Sequence, residues 1–435
     1  MSAALPATQG PFVVTHGCKA NQADGAWLEG ALAGREVVVV NTCTVTQAAD
    51  ADARQAIRAA SRERPGVPIL VTGCSATIAP EAYRDMPEVR WVVPNPLKTT
   101  IPQLLEAKAP ADRVDFMLGP GQQSSPARFT SALSRSGEFR LGTRPFVKVQ
   151  DGCDYVCSFC VIPAARGPAR SRPLDEVVTE VRALERAGAR EVVLTGIHLG
   201  HWGRDHTPRR TLAELVDQLL EATSVARIRL GSVEPNEVDA HLVRLVSAHP
   251  RVCRHLHVPL QSGDDRVLAL MRRVYRVAAY RRVVEAVKAR APGVAVSADV
   301  LVGFPGEDTA AFERTRALVE DLGLAYLHVF PYSQRPGTAA LRLPGGVPKG
   351  ELRVRAEQMR ATADSLRARF EASSVGTYAT VLVERRRQQG LLFGRSERYI
   401  GVRFDGRDSL IGSLAEVLVT GYDGGVALGR HHAGE

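Results

Sequence analysis

The sequence is short of several things at once. Aromatic residues make up 6% of it, with three tryptophans and five methionines, and lysine is scarce, six against 50 arginines. No apolar run approaches the ~20 residues that a spanning helix needs. The strongest, Val37 to Val40 and Val300 to Phe304 with their flanks, are far shorter, so no membrane span is expected. Met1 to Gly10 has neither a basic start nor an apolar stretch, so no secretory signal is expected and the expected location is cytoplasmic. The seven cysteines are odd in number and do not form two separated CxxC pairs. A disulfide scaffold is therefore a poor reading in a reducing compartment.

Core-forming material is ample. With 435 residues, 45% apolar and 24% charged, the chain can build two or three domains with cores of their own, and intrinsic disorder is excluded. A net charge of +9 favours a polyanionic partner such as nucleic acid. The arginine excess suits phosphate and base recognition but would equally follow from an arginine-biased genome.

Short apolar runs alternate with helical stretches along the first segment. Strands are expected at Phe12 to Thr15, Val37 to Asn41 and Ile69 to Thr72, and helices at Gln22 to Ala33 and Ala48 to Arg62. This is the pattern of a parallel sheet with helices on its faces. Between about Pro110 and Gly142 the chain turns to Gly, Pro, Ser and Gln without a sustained apolar period, which marks a linker. A second alternation follows, with strands at Phe146 to Gln150, Val192 to Thr195, Ile228 to Gly231, His255 to Leu260, Val294 to Leu301 and Tyr326 to Pro331. Helices are expected between them at Leu174 to Ala187, Leu212 to Ala222, Glu237 to Ala248, Tyr280 to Arg290 and Thr309 to Leu322. Crossovers of that length fit a six-stranded, partly closed β/α barrel, whose ligands gather at the carboxyl ends of its strands.

Beyond a charged helical stretch at Lys349 to Glu371, short strands with glycine turns indicate a small β-barrel. Arg385, Arg386, Arg387, Arg395 and Arg398 alternate there with Phe393 and Tyr399, a mixture that serves RNA contact and base stacking. Eight arginines against seven acids in Ser373 to Glu435 leave an ordinary solvated surface as the alternative. The expected fold class is thus α/β. It comprises an amino-terminal parallel α/β domain (9–118), a linker (119–141), a central six-stranded partial β/α barrel (142–372) and a carboxyl-terminal all-β barrel (373–435).

Cysteines carry the chemical signal. Cys153, Cys157 and Cys160 lie in one loop directly after the first barrel strand, at the ligand-binding end. Thiolates are soft ligands. A structural zinc site wants four protein ligands and no fourth cysteine lies nearby, whereas a [4Fe-4S] cluster on three cysteines keeps one iron open to a small molecule. Cys18, Cys43 and Cys74 each sit just past an expected strand end. If those strands are parallel, the three converge at one sheet edge; otherwise each is a small buried residue. Cys253, beside Val252, reads as packing.

The CxxxCxxC spacing, with Phe159 before its last cysteine, resembles the radical S-adenosylmethionine superfamily. Two three-cysteine sets followed by a small β-barrel resemble the radical S-adenosylmethionine methylthiotransferases along nearly the whole chain. Thr15 to Asn21, Asn41 to Val45 and Thr72 to Cys74 are similar to that family's auxiliary-cluster motifs. Lys148 to Cys153, Arg166-Gly167, Ser171-Arg172, Val302 to Glu307 and Tyr332 to Thr338 are similar to its barrel motifs, and the last domain resembles its RNA-binding TRAM domain. Gly17 to Lys19, Leu194 to Gly200, Arg229 to Pro235 and His328 to Tyr332 most resemble the branch acting on N6-threonylcarbamoyladenosine 37 of tRNA. Asp154 and Ala164 depart from the commoner pattern, at positions that are not ligands.

The resemblance implies two [4Fe-4S] clusters. Cys153, Cys157 and Cys160 would hold the one that cleaves S-adenosylmethionine to a 5'-deoxyadenosyl radical, with Phe159 near the adenine. Cys18, Cys43 and Cys74 would hold an auxiliary cluster carrying the sulfur, methylated by a second S-adenosylmethionine and inserted at adenine C2. An electron donor such as a flavodoxin or ferredoxin and a sulfur source are implied as partners. Glu234 and Gln261 are candidates for the S-adenosylmethionine or substrate pocket, with Thr195, His198, Ser232, Asp299 and Tyr332 behind them, and Ser262 reads as a helix cap. The alternatives are the same chemistry on isopentenyladenosine 37 or on a ribosomal protein aspartate, or a non-catalytic zinc-containing RNA-binding protein.

Overall fold

The computed structural model describes residues 10–106, the backbone of 114–115, and residues 143–386 and 390–432. The linker expected at 119–141 and Arg387 lie outside the described residues. The amino-terminal unit runs β1 (Phe12–Thr15), α1 (Lys19–Ala31), β2 (Val38–Thr42), α2 (Gln47–Glu63), β3 (Ile69–Gly73), α3 (Cys74–Ile78), α4 (Glu81–Arg84), β4 (Val89–Pro94), α5 (Ile101–Glu106) and β5 (Val114–Asp115). Its five strands form a parallel sheet in chain order. Every residue of β2 and β3 is buried, because helices cover both faces and the strands read as unbroken apolar runs. Val38 and Val40 pack with Ile57 and Tyr83 on one face, Val39 with Leu28 and Trp91 on the other.

The central unit adds β6 (Phe146–Lys148), β7 (Gln150–Asp151), α6 (Ile162–Arg166), β8 (Arg170–Ser171), α7 (Leu174–Arg186), β9 (Glu191–Thr195), α8 (Leu212–Ala222), β10 (Arg227–Leu230), α9 (Ala240–Ala248) and β11 (His255–His257). After these come α10 (Asp265–Leu270), α11 (Val277–Arg290), β12 (Ala295–Val302), α12 (Thr309–Asp321), β13 (Tyr326–Pro331) and α13 (Lys349–Ala372). Two three-stranded parallel sheets, β6-β9-β10 and β11-β12-β13, meet through single bridges at Ile228–Val252 and Ser232–His257. Together they make the expected open, six-stranded barrel around one core.

Local chemistry moves several boundaries. The first barrel strand stops at Lys148, and Gln150–Asp151 pairs instead, antiparallel, with Arg170–Ser171. β11 ends at His257, two residues before Pro259, which has no N–H to give a ladder. α9 begins at Ala240 rather than Glu237, because the Asp239 carboxylate accepts from the Leu242 N–H and caps it. Likewise the cap of α10 is Asp264, which accepts from the Val267 N–H; Ser262 is not the cap, and its hydroxyl accepts instead from the Asp264 N–H.

At the carboxyl end β14 (Tyr378–Arg386), β15 (Leu392–Ser396), β16 (Gly401–Asp405), β17 (Leu414–Asp423) and β18 (Val426–His431) close a barrel in the order 14-15-16-18-17. This barrel docks on the central unit through a buried ionic group. Glu191 of β9 holds Arg227 at 2.6 Å and Arg229 at 2.7 Å. Arg227 donates to the carbonyls of Thr380 and Arg395, and Arg229 to those of Ser396 and Glu397. Among the described residues no helix is long and apolar enough to cross a membrane.

Candidate metal centres and the chamber between them

Parallel pairing puts the carboxyl ends of β1, β2 and β3 on one edge, and the first three cysteines follow those ends. Cys43 comes directly after β2, Cys74 opens α3, and Cys18 directly precedes α1. Cys43 and Cys74 are buried and Cys18 is exposed. Gly17 has φ +93°, and a Cβ there would lie 2.5 Å from the Cys43 Sγ, so only glycine lets the two loops close on each other. Burial pushes the Cys43 thiol up to about 11, with Cys18 and Cys74 adding to it against a backbone hydrogen bond at Val45. Burial raises Cys74 as well, against the pull of Arg166 and Lys98.

The second triad forms after β7. Gly152 has φ +72°, and a Cβ there would stand 1.9 Å from the Pro168 carbonyl oxygen, so the turn delivering Cys153 again requires glycine. The Ser158 N–H donates to the Met271 carbonyl, and the Ala340 N–H to that of Ser158, which fastens the loop to the barrel. The Cys160 N–H donates to the Cys157 carbonyl at 3.1 Å. His198 Nδ1 lies 3.5 Å from the Cys153 Sγ, and its Nε2 lies 2.8 Å from Glu237. Arg273 donates to the Cys157 Sγ at 3.2 Å and is gripped by Glu234. Burial pushes Cys153 up to about 11 and Cys160 up to about 12.

The donor sets fit polynuclear centres better than single ions. Around one tetrahedral zinc at a Zn–S distance of ~2.3 Å, sulfurs stand roughly 3.8 Å apart. Among the described residues, the trios of His, Cys or carboxylate ligand atoms lying within 4.8 Å of one another are His198–His201–Glu237 and His257–Asp299–His328, and neither thiol triad is that tight. Three thiolates with no fourth protein ligand suit a cluster in which each thiolate takes its own iron and one iron stays open. Loading either triad must release thiol protons.

A buried network ties the two halves together. Asp24 of α1 pairs with Lys98 at 2.8 Å, with Arg166 at 3.2 Å and with Lys148, and Asp151 pairs with Lys148 and Arg166, both at 2.8 Å. Burial raises the Asp24 carboxyl, but Lys148, Lys98 and Arg166 outweigh it and hold it at about 2. Three cations face two carboxylates, and Arg166 also donates to the Cys74 Sγ. The surplus positive charge complements an anionic, thiolate-bound centre at that point.

Between the triads lies a chamber of about 190 Å³, lined by Val45 and Thr46 from the loop after Cys43 and by Phe159 and Cys160 from the second triad. Gln261, Asp299 and Tyr332 line it too, so Phe159 and Gln261 share its wall. Gln261 takes φ +66°, a left-handed conformation uncommon for a side chain of its size. Glu234 is placed otherwise, on Arg273. Thr195 is buried at the end of β9, and Ser232 is exposed beside His257. Arg385 and Arg386 are exposed on the small barrel. Arg395 and Arg398 are not with them: Arg395 stacks over Tyr399 at 4.6 Å, and the Arg398 side chain is 12% exposed. Cys253 is buried, its Sγ 3.9 Å from Glu191.

A cysteine loop at the mouth of an open six-stranded β/α barrel defines a radical S-adenosylmethionine enzyme. The model of the radical SAM superfamily matches residues 147–319, and that of the uncharacterized protein family UPF0004 matches residues 11–94. Over 407 residues the chain is 33% identical to the threonylcarbamoyladenosine tRNA methylthiotransferase MtaB of Thermotoga maritima, covering 91% of each. It is 34% identical to MtaB of Bacillus subtilis, covering 93% of this chain and 92% of that protein. It is 32% identical to the tRNA-2-methylthio-N(6)-dimethylallyladenosine synthase of Xanthomonas euvesicatoria, covering 94% and 88%. The chain belongs to the radical S-adenosylmethionine tRNA methylthiotransferases, and its cofactors are [4Fe-4S] clusters, two per chain, and S-adenosylmethionine. The radical S-adenosylmethionine methyltransferase TsrM of Kitasatospora setae shares the fold, with a TM-score of 0.51 at 17% identity over 71% of this chain and 65% of that one.

Sequence reasoning passed over Arg166 and His328 as individual contacts, and over Arg273 and His257 altogether. Arg273 lies among other arginines with no local pattern. The two histidines sit at inward positions of β11 and β13, a period-2 signal that would have found them.

Proposed function

We propose that this enzyme inserts a methylthio group at C2 of N6-threonylcarbamoyladenosine 37 in tRNA. Cys153, Cys157 and Cys160 hold the cluster that binds S-adenosylmethionine, and Cys18, Cys43 and Cys74 hold the auxiliary one. When bound, these groups supply the electron, the radical precursor and the sulfur for a carbon that acid–base catalysis does not activate. The chain's own residues do the aligning. Phe159 and Gln261 line the space for the adenine parts, Glu234 acts through Arg273 to orient Cys157, and Arg166 fixes Cys74 against the barrel. Arg385 and Arg386 contact the RNA backbone. A flavodoxin- or ferredoxin-type donor and a separate sulfur source complete a cytoplasmic reaction.

One observation carries the choice of substrate. The floor of the chamber is polar: Asp299 accepts from His257 at 3.2 Å and from His328 at 3.1 Å. A base whose C2 faces the cysteines turns its N6 substituent away from them, toward this floor. A threonylcarbamoyl group, with amide, hydroxyl and carboxylate, offers hydrogen-bonding partners to this floor, whereas a dimethylallyl group sets hydrocarbon against a carboxylate and two imidazoles. The test is mass spectrometry of tRNA nucleosides from a strain lacking the gene. Loss of 2-methylthio-N6-threonylcarbamoyladenosine, restored by the wild-type gene, is expected. An unchanged level of that nucleoside, with loss of the methylthio-isopentenyl form or of a modified ribosomal protein, overturns the assignment.

A further inference from the structure

Below the chamber the barrel lumen continues. The pairing of β12 with β13 sets Leu301 against Phe330, Asp299 against His328 and Ser297 against Tyr326, so inward residues descend in layers roughly 6.6 Å apart. Leu301 and Phe330 belong to the upper chamber, Asp299 and His328 form its floor, and Ser297 and Tyr326 lie beneath. There a second cavity of about 440 Å³ opens, lined by Lys19, His255, His257, Tyr326, Arg395 and Tyr399 among others. All three parts of the chain meet in it: Lys19 follows Cys18, the histidines come from β11, and Arg395 and Tyr399 come from the small barrel.

Its charges are unevenly used. Arg367, also on this wall, is neutralised by Glu371 at 3.0 Å, and Asp364 contributes one acid. Lys19 forms no salt bridge within 4.0 Å among the described residues, and the carboxylate whose field reaches it is Asp299 of the floor. Arg395 reaches its nearest carboxylate, Glu384, only at 3.9 Å. The Arg395 Nε, the Tyr326 hydroxyl and the His255 Nδ1 are buried without a hydrogen-bond partner. Buried polar atoms of that kind are ordinarily satisfied, and a ligand with an anionic, hydrogen-bonding end would satisfy these.

We propose that this lower cavity is an anion subsite that receives the carboxylate of the N6-threonylcarbamoyl group, with Lys19 and Arg395 as the cations that hold it; the proposal rests on the substrate assigned above. Four bonds separate N6 from the carboxylate carbon and span roughly 5 Å; with N6 at the level of Asp299 and His328, that is close to the one layer, roughly 6.6 Å, down to Ser297 and Tyr326. With the adenine in the upper chamber, the acid passes the His257–Asp299–His328 floor and arrives beside Lys19 and Arg395. Specificity then comes from three places in the sequence, and the small barrel contributes to the active site as well as to the RNA surface.

The test uses cluster-loaded full-length enzyme and three anticodon stem-loops, carrying threonylcarbamoyladenosine, its neutral carboxamide or dimethylallyladenosine. Fluorescence anisotropy gives Kd without turnover, and steady-state rates separate KM from kcat. The wild type is expected to prefer the acid to the carboxamide by ~10-fold or more, the scale of one charge-assisted contact, in Kd and in KM. Lys19→Gln and Arg395→Gln erase most of that preference, and Lys19→Arg keeps it, at wild-type iron content. Arg395 is remote from both cysteine loops in sequence, so its variant guards against cluster loss caused by changing Lys19. If the acid RNA is methylthiolated but the carboxamide binds equally well, or both glutamine variants retain the preference, the subsite is refuted and the substrate assignment stands. If only the dimethylallyl RNA is modified, the substrate assignment falls and the subsite with it.

Discussion

The guanidinium of Arg166, on the barrel, donates from Nε to the Sγ of Cys74, on the amino-terminal sheet, at 3.3 Å. Its other nitrogens serve Asp151 at 2.8 Å and Asn21 at 3.0 Å. One fully buried side chain thus fixes where the edge carrying Cys74 stands relative to the loop carrying Cys153. Arg166→Ala leaves Asp24 and Asp151 short of a partner in a dry site, and a loss of about 3–5 kcal/mol is expected in chemical denaturation. Arg166→Lys should recover only part of it, because a single ammonium cannot reproduce the planar fork.

The two triads are separable by substitution. Replacing Cys18, Cys43 and Cys74 together with alanine should remove about half of the ~8 irons that two four-iron clusters contain. S-adenosylmethionine cleavage should persist while the methylthio product disappears. Iron and sulfide analysis with product chromatography checks both, and full iron content in the triple variant would sink the ligand assignment.

Acid should loosen the docking of the small barrel. Burial raises the Glu191 carboxyl, but Arg229 and Arg227 outweigh it and hold it at about 2 against an ordinary 4.5. A carboxyl lowered in the folded state contributes fully above its unfolded value and loses that contribution as pH falls toward the folded one. The window is therefore from about pH 4.5 down to about 2, and the stake is about 3 kcal/mol. Urea midpoints measured from about pH 6 to about pH 3 should fall more steeply for the wild type than for Glu191→Gln.

Gly152→Ala tests how closely the second triad depends on its turn. The left-handed backbone alone costs a side chain about 1–3 kcal/mol, and the new Cβ would press on the Pro168 carbonyl. The expected outcome is a displaced Cys153. S-adenosylmethionine cleavage is lost while the auxiliary iron is retained, as iron analysis and a cleavage assay would show.

Much of this was legible one residue at a time. The helix at Leu212–Ala222 and the strands at Phe12–Thr15 and Tyr326–Pro331 stand where the apolar spacing puts them, because period and burial agree there. β4 escaped notice since exposed Arg90 interrupts its apolar run and Pro94 ends it. β18 escaped because Gly429 and Arg430 dilute its pattern; it is held by barrel closure between β16 and β17, a long-range constraint. Glu234 and Glu237 looked like strand-end ligand contacts and a helix start, yet their carboxylates answer Arg273 and His198, partners 39 residues away in each case.

The sequence by itself determined the order of layers and the spacing of Cys153, Cys157 and Cys160, since apolar period and residue spacing are local properties that survive without neighbours; the convergence of Cys18, Cys43 and Cys74 waited on the parallel pairing of β1, β2 and β3. Only the tertiary structure decided that Arg166 meets Cys74, that Arg395 lines the lower cavity, and that Lys19 shares that cavity with it. Those pairings join residues up to 376 positions apart (Lys19 to Arg395), and buried charges must find whichever opposite charge or polar atom the folded chain brings within reach.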